Sequence, residues 1–236
     1  ISSNPEPFCD FFDFFNIGDG ENIANEITSV YISNKNKSKA EILAALSEIE
    51  GVYVPSLKNS LGEKVYSLNK NGFVKKRTVN LDEALYSPII SDKTYYSDTV
   101  FVEIVRGCPN LCKFCSSHYQ NIPFRYPSLA SIKKALKKAA KYAKKIVLIG
   151  SLISRHPDFD EIINYISILQ TKFDFDLEIS AIEFGYLNEK LLNLLSTKEL
   201  SFALECGSEN MREKTGKILS DETIFKTLDF YEKCGL

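Results

Sequence analysis

Three cysteines lie within eight residues of this 236-residue chain: Cys108, Cys112 and Cys115. Thiolates are soft ligands for zinc and for iron–sulfur clusters, and the short spacers let one loop wrap around a compact inorganic core. A structural zinc site and a ferredoxin cluster each take four protein ligands, whereas this loop supplies three. The CxxxCxxC spacing therefore predicts metal ligation with an open coordination position, where chemistry can take place.

The elements around this loop place it where ligands bind. From Thr99 onward, apolar strand patterns alternate with amphipathic helical patterns, which predicts a parallel sheet covered by helices. The predicted strands are 100–105, 146–150, 177–182 and 202–205, and the predicted helices are 128–144, 158–171, 188–196 and 221–235. Parallel sheets bind ligands at the carboxyl ends of their strands, and the cysteine loop leaves the first strand at that end.

The first 90 residues have a different pattern. An aromatic run at 11–17 predicts a strand, 21–31 predicts a helix, and Ser38 is placed to cap a second helix that ends near Ile49. Residues 64–79 predict a β-hairpin with its turn at Asn71-Gly72, and 82–98 reads as a linker. We therefore expect a small α+β segment at 1–90 and an α/β domain at 91–236.

The cysteine loop resembles the signature of the radical S-adenosylmethionine (SAM) superfamily, a CxxxCxxC loop after the first strand of a partial βα barrel. The resemblance implies an α/β fold, a partial (β/α) barrel with parallel strands, truncated here after about four βα units. Because another strand is due where the last helix ends at Gly235, we expect the natural protein to continue.

The resemblance also implies the chemistry. Cys108, Cys112 and Cys115 would hold three irons of a 4Fe-4S cluster, and the fourth iron would chelate the amino and carboxylate groups of SAM. One electron would then cleave SAM into methionine and a 5′-deoxyadenosyl radical, which abstracts a hydrogen atom from a substrate that the sequence does not identify. The implied partner is a low-potential electron donor such as flavodoxin or ferredoxin.

Five further positions are candidates for contacting the cofactor, Ser180 by its place on the third strand and the others by their match to family segments: Phe114, Gly150, Ser151, Ser180 and Glu205. The residue before the third cysteine is usually aromatic and packs near the adenine. A glycine-containing segment ends the second strand, the third strand offers a serine, and a Leu-Glu-x-Gly-Ser-Glu type of segment ends the fourth. The alternative interpretations are an ordinary strand-to-loop glycine at Gly150 and a solvated or salt-bridged carboxylate at Glu205.

Residues 4–21 and 51–56 look like the end of a cobalamin-binding-like domain that precedes the radical domain in one group of the superfamily. The cobalamin-ligating histidine motif is not visible, and neither His118 nor His156 lies in the right region. Cobalamin binding upstream is therefore unsupported by the sequence.

Two other functions stay open. A methylthiotransferase acting on transfer RNA or a ribosomal protein shares the loop but normally has three further cysteines in an N-terminal domain, and only Cys9 precedes residue 108 here. A non-catalytic zinc or iron–sulfur module would need a fourth ligand, for which Cys206 and His118 are candidates. His118 and Arg125 follow the loop and could also face substrate, whereas His156 precedes a proline and is predicted to be a surface or turn residue.

Composition indicates a globular protein, with 44% apolar residues and 29 basic against 31 acidic side chains. The balanced charge argues against nucleic-acid binding, and we interpret the seven lysines of 131–145 as the solvated outer face of a helix. No apolar run approaches the ~20 residues of a membrane span, and the sequence starts without a secretory signal. We therefore expect a cytoplasmic protein with no membrane partner.

Overall fold

The computed structural model describes residues 3–57, 74–81, 86–87, 89–197 and 199–236. The chain divides into two compact units, residues 1–79 and 80–236. Each unit has its own hydrophobic core.

In the N-terminal unit, two helices pack beside a short antiparallel pair of strands. Strand β1 (Phe15–Asn16) pairs with β2 (Val52–Tyr53), and helices α1 (Ile23–Asn34) and α2 (Lys39–Ser47) lie between them in sequence. A 3-10 helix at Glu6–Phe8 precedes them. The strand and the two helices that follow it are as predicted, although the aromatic run contributes only two residues to β1, whereas the strand at Val52–Tyr53 was not predicted.

The predicted cap of α2 is present. The Glu41 backbone N–H donates to Ser38 Oγ at 3.4 Å, and the Ser38 N–H donates to a Glu41 carboxylate oxygen at 3.0 Å, which completes a capping box. The hydrogen bonds from Ser38 lower the pKa of Glu41. A serine followed three residues later by glutamate was a sufficient sequence signal for this helix start.

The predicted hairpin turn at Asn71-Gly72 lies outside the described residues, as does the whole of its first arm. In the described part of the second arm, Arg77 forms a parallel bridge to Gly18. The Arg77 N–H donates to Ile17 O at 2.8 Å, and the Asp19 N–H donates to Arg77 O at 3.0 Å. This arm therefore runs beside the residues that follow β1.

The C-terminal unit contains a parallel sheet in the order β3-β4-β5, formed by Thr99–Glu103, Lys145–Ile149 and Asp176–Ile179. The register pairs Val102 with Leu148 and Leu148 with Ile179. Helix α4 (Leu129–Tyr142) connects the first two strands and α5 (Phe159–Gln170) connects the second and third. The predicted α/β class, the parallel sheet and its first three strands are confirmed.

The shorter elements of this unit lie in the loops and after the sheet. They are α3 (Ser116–Asn121), a 3-10 helix (Ile153–Arg155), α6 (Glu189–Leu194), α7 (Glu209–Lys214) and α8 (Asp221–Lys233).

The predicted fourth strand at 202–205 was wrong, because these described residues form no strand. Leu177, on the outer edge of β5, is already paired with another segment: its N–H donates to Ser196 Oγ at 2.9 Å, and the Ser196 N–H donates to Leu177 O at 3.0 Å. At the other end of the segment, Glu205 has a φ of 67°, a left-handed conformation that cannot continue a strand. Residues 202–205 are therefore a loop beside the sheet.

Helix α4 separates its apolar and charged residues as predicted. Its buried face is formed by Ile132, Ala135, Leu136, Ala139 and Ala140, whereas Lys134, Lys137, Lys138 and Lys141 are exposed. Burying each Leu or Ile of such a face contributes about 1.5–3 kcal/mol. The lysine-rich face is the outer face of a helix that packs on the sheet.

Candidate cluster-binding site

The cysteine loop is closed at its base by backbone pairing. Arg106 and Arg125 exchange N–H to carbonyl hydrogen bonds of 2.8 and 2.9 Å, so residues 107–124 form one loop beyond β3. The Arg106 guanidinium also binds Glu103 at the end of the strand, with an Nη2 to Oε2 distance of 2.6 Å. These contacts anchor the loop to the carboxyl edge of the sheet, as the sequence predicted.

Gly107 is required at the start of this loop. Its φ is +82°, and a Cβ at this position would lie 2.5 Å from Asn121 O and 3.0 Å from Pro123 O. Any side chain would therefore push apart the two ends of the loop. This role of Gly107 was not predicted, although a glycine directly between a strand and the first cysteine is a signal for it.

The three cysteines are free thiols, with Cys112 buried and Cys108 and Cys115 half-buried. Burial raises the pKa of Cys108, and the nearby Cys112, Cys115 and Glu183 raise it further. Burial also raises the pKa of Cys112, whereas the ammonium of Lys217 lowers it. The thiols therefore share one electrostatic neighbourhood, and three soft donors on one loop fit an iron–sulfur cluster.

The described ranges contain no group of three His, Cys, Asp or Glu side chains arranged to hold a single metal ion. A four-iron cluster presents separate irons to its cysteines, so its ligands need not converge on one point.

His118 and Arg125 both bind the loop itself. His118 is buried, and its Nδ1 lies 2.8 Å from Cys108 O. Because a carbonyl oxygen can only accept, Nδ1 carries the proton. The Arg125 guanidinium donates to Asn121 O at 3.2 Å and to Pro123 O at 2.8 Å. Both side chains therefore stabilise the loop conformation from within.

A turn far along the chain makes a contact with the cysteine loop that was not predicted. The Lys113 N–H donates to Thr215 O at 2.8 Å, and Cys112 Sγ lies 3.7 Å from Gly216 O. Lys217 Nζ binds Glu205 Oε1 at 3.2 Å. This brings Glu205, a predicted cofactor residue, into the neighbourhood of Cys112, where its charge raises the pKa of that thiol.

Two other predicted cofactor residues lie together at the ends of β4 and β5. The Gly150 N–H donates to Ser180 Oγ at 3.3 Å, and Ser180 Oγ donates to Gly150 O at 3.2 Å. A Cβ on Gly150 would lie 2.8 Å from Val105 O. Glycine therefore allows the loop after β4 to approach the residues that follow β3. Ser151 follows and is half-buried.

The remaining predicted positions differ in exposure. Phe114 lies on the cysteine loop and is 50% exposed, so its ring is available to a ligand. His156, predicted to be a surface or turn residue, lies in a turn and is buried. Its Nε2 donates to Pro127 O at 3.0 Å and its Nδ1 accepts from the Asp158 N–H at 3.0 Å, so the turn encloses it.

Across the described residues, each helix is either too short or too polar to cross a membrane.

Comparison with known proteins supports the family that the cysteine loop indicates. Residues 1–55 match the family described as radical SAM proteins, N-terminal, and residues 102–236 match the radical SAM superfamily. The chain is 27% identical over 240 residues to an uncharacterized protein of Methanocaldococcus jannaschii. That alignment covers 100% of this chain and 48% of the relative, so the chain spans about half the length of the curated relative that it matches. The chain belongs to the radical SAM superfamily, whose members use a 4Fe-4S cluster and SAM.

Proposed function

We propose that Cys108, Cys112 and Cys115 bind a 4Fe-4S cluster and that the surrounding carboxyl edge of the sheet binds SAM. The observation that carries this proposal is the cysteine loop itself, with three free thiols held on one loop at the end of β3. Reductive cleavage of SAM to methionine and a 5′-deoxyadenosyl radical is the chemistry that the bound cofactors would supply.

The chain's own residues have roles in binding and orientation. Phe114 offers an exposed ring for stacking on the adenine. Ser180 fixes the Gly150 peptide at the end of β4, and Ser151 follows it, so these residues would line one side of the cofactor site. Glu205 has a carboxylate for ribose hydroxyls or the methionine ammonium, and Lys217 holds that carboxylate in place.

The substrate and the complete reaction belong to the whole protein. We infer that a low-potential donor such as flavodoxin or ferredoxin supplies the electron, as superfamily members require. The N-terminal match at 1–55 supports a role for the first unit within the same enzyme. We therefore propose that the chain is the cofactor-binding part of a radical SAM enzyme.

The test is anaerobic reconstitution of the chain with iron and sulfide. We expect about four irons and four sulfides per chain, since the proposed site holds a single cubane. The electron paramagnetic resonance (EPR) spectrum of the reduced cluster should change when SAM is added, and dithionite should produce 5′-deoxyadenosine. A chain that takes up no cluster, or a cluster whose spectrum ignores SAM and yields no 5′-deoxyadenosine, contradicts the proposal.

The same experiment separates the alternative, a non-catalytic zinc or iron–sulfur module. Such a module would complete its ligand set from the chain, with Cys206 or His118 as the fourth ligand. Cys206→Ser or His118→Ala would then abolish metal binding, and SAM would leave the bound metal unchanged. Under our proposal, Cys206→Ser retains the cluster and its response to SAM.

A further inference from the structure

Arg212, in α7, is a buried charge with a complete set of partners. Its side chain is 1% exposed. Nε donates to Leu219 O at 2.8 Å, Nη1 donates to Cys206 O at 3.0 Å, and Nη2 pairs with the Asp221 carboxylate. A buried guanidinium costs several kcal/mol unless its donors are bound, so this arrangement is tightly specified.

The three acceptors of Arg212 come from different parts of one segment. Cys206 follows the loop that carries Glu205, Leu219 lies in the connection after the Thr215–Lys217 turn, and Asp221 begins α8. The planar fork of arginine reaches all three at once, whereas a lysine ammonium is a single point donor. Arg212 therefore fixes the spacing of the elements on either side of the turn.

The backbone of Arg212 also forms the base of the turn. Its carbonyl oxygen accepts from the Lys217 N–H at 2.9 Å and from Thr215 Oγ1 at 2.8 Å. At the tip, Gly216 has a φ of +81°, and a Cβ there would lie 2.8 Å from Leu111 O. Arg212 therefore binds the base of the turn, and the tip of the turn contacts the cysteine loop.

Two contacts transmit this position to a proposed cluster ligand. The Lys113 N–H donates to Thr215 O, and Cys112 Sγ lies 3.7 Å from Gly216 O, so the residues on either side of the Cys112–Lys113 peptide meet the turn. We propose that Arg212 is a positioning residue for the iron–sulfur cluster, acting through the Thr215–Lys217 turn on Cys112. This inference rests on the proposed function, because it needs a cluster on the cysteine loop.

The test compares Arg212→Lys with the wild type after reconstitution, with Lys214→Gln as the control. Lys214 is an exposed residue of the same helix, so the control removes a positive charge without touching the turn. We expect Arg212→Lys to lose its cluster to a chelator about tenfold faster than the wild type, since outer-shell partners of metal ligands typically contribute 10–100-fold. Its EPR spectrum with SAM should also differ from the wild-type spectrum, whereas the control should match the wild type in both measurements.

A second variant acts on the same turn without removing a buried charge. Gly216→Ala places a methyl group against Leu111 O and should reproduce the faster cluster loss and the altered spectrum. If Arg212→Lys fails to fold, as judged by circular dichroism and thermal melting, Gly216→Ala tests whether the turn positions the cluster ligand.

The outcomes distinguish this inference from the proposed function. A wild-type chain without a cluster overturns both. A wild-type chain with a SAM-responsive cluster, together with folded variants whose chelator kinetics and spectra are unchanged, overturns the role of Arg212 alone.

Discussion

The thiol sulfur of Cys112 lies 3.7 Å from the carbonyl oxygen of Gly216, 104 residues further along the chain. The adjacent Lys113 N–H is bound to Thr215 O at 2.8 Å. The cysteine loop is thus contacted by a segment that follows β5, α6 and α7 in the sequence. This contact shows that the geometry of the candidate site depends on tertiary packing as well as on the CxxxCxxC spacing.

Replacing any one of the loop cysteines by serine should prevent stable cluster binding. A hydroxyl is a harder and less acidic ligand than a thiol, so Cys112→Ser should hold only a small fraction of the wild-type iron after reconstitution and desalting. The measurement is iron and sulfide per chain. Cys9→Ser and Cys234→Ser are the matched controls, because these cysteines lie outside the loop. Full iron retention by Cys112→Ser would show that the ligand assignment is wrong.

Gly107→Ala should destabilise the base of the cysteine loop. The alanine Cβ would approach Asn121 O while the backbone holds a φ of +82°, which costs about 1–3 kcal/mol. Urea unfolding of the apo chain measures this loss. Gly207→Ala is the control, since its Cβ would meet no atom within 4 Å, and it should change the free energy of unfolding by less than about 0.5 kcal/mol. Equal stabilities of the two variants would contradict the steric argument.

His118→Ala should weaken the loop by leaving the Cys108 carbonyl without its donor. An unpaired buried acceptor costs about 1–3 kcal/mol, and the cavity left by the imidazole adds to this loss. The free energy of unfolding and the rate of cluster loss to a chelator are the measurements. His118→Asn is expected to recover part of both, because its amide can donate from near the position of Nδ1. If alanine and asparagine behave alike, the hydrogen bond is not what stabilises the loop.

Tyr231→Phe should flatten the loss of stability at alkaline pH. Burial raises the pKa of Tyr231 from 10.0 to about 12. Folding therefore favours the protonated phenol: its contribution is fully present below pH 10 and is lost as the pH rises from 10 to 12. The phenylalanine variant should lose about 2–3 kcal/mol less than the wild type across this interval.

At pH 8 the same variant should be less stable by about 1 kcal/mol, because it lacks the hydrogen bond from the Tyr231 hydroxyl to Tyr186 O. Denaturant titrations at several pH values measure both effects. Parallel pH profiles for the two chains would refute the assigned pKa.

Much of the fold was predictable because local patterns determine it. The apolar runs of β3, β4 and β5 and the amphipathic pattern of α4 are readable from adjacent residues, and Ser38 marks the start of α2. The failure at 202–205 has a tertiary cause. Those residues have a strand-like composition, but Ser196 already pairs with Leu177 at the edge where they would have to bind.

The sequence alone identified the candidate ligands of the proposed site. Three cysteines at short spacing after an apolar strand predict soft ligands on one loop. This prediction needs only neighbouring residues, because the loop is short and directly follows the strand. Only the tertiary structure decided what holds that loop. Thr215 and Gly216 contact it across about a hundred residues of sequence. Such contacts arise from packing of distant segments, which no local pattern of residues encodes.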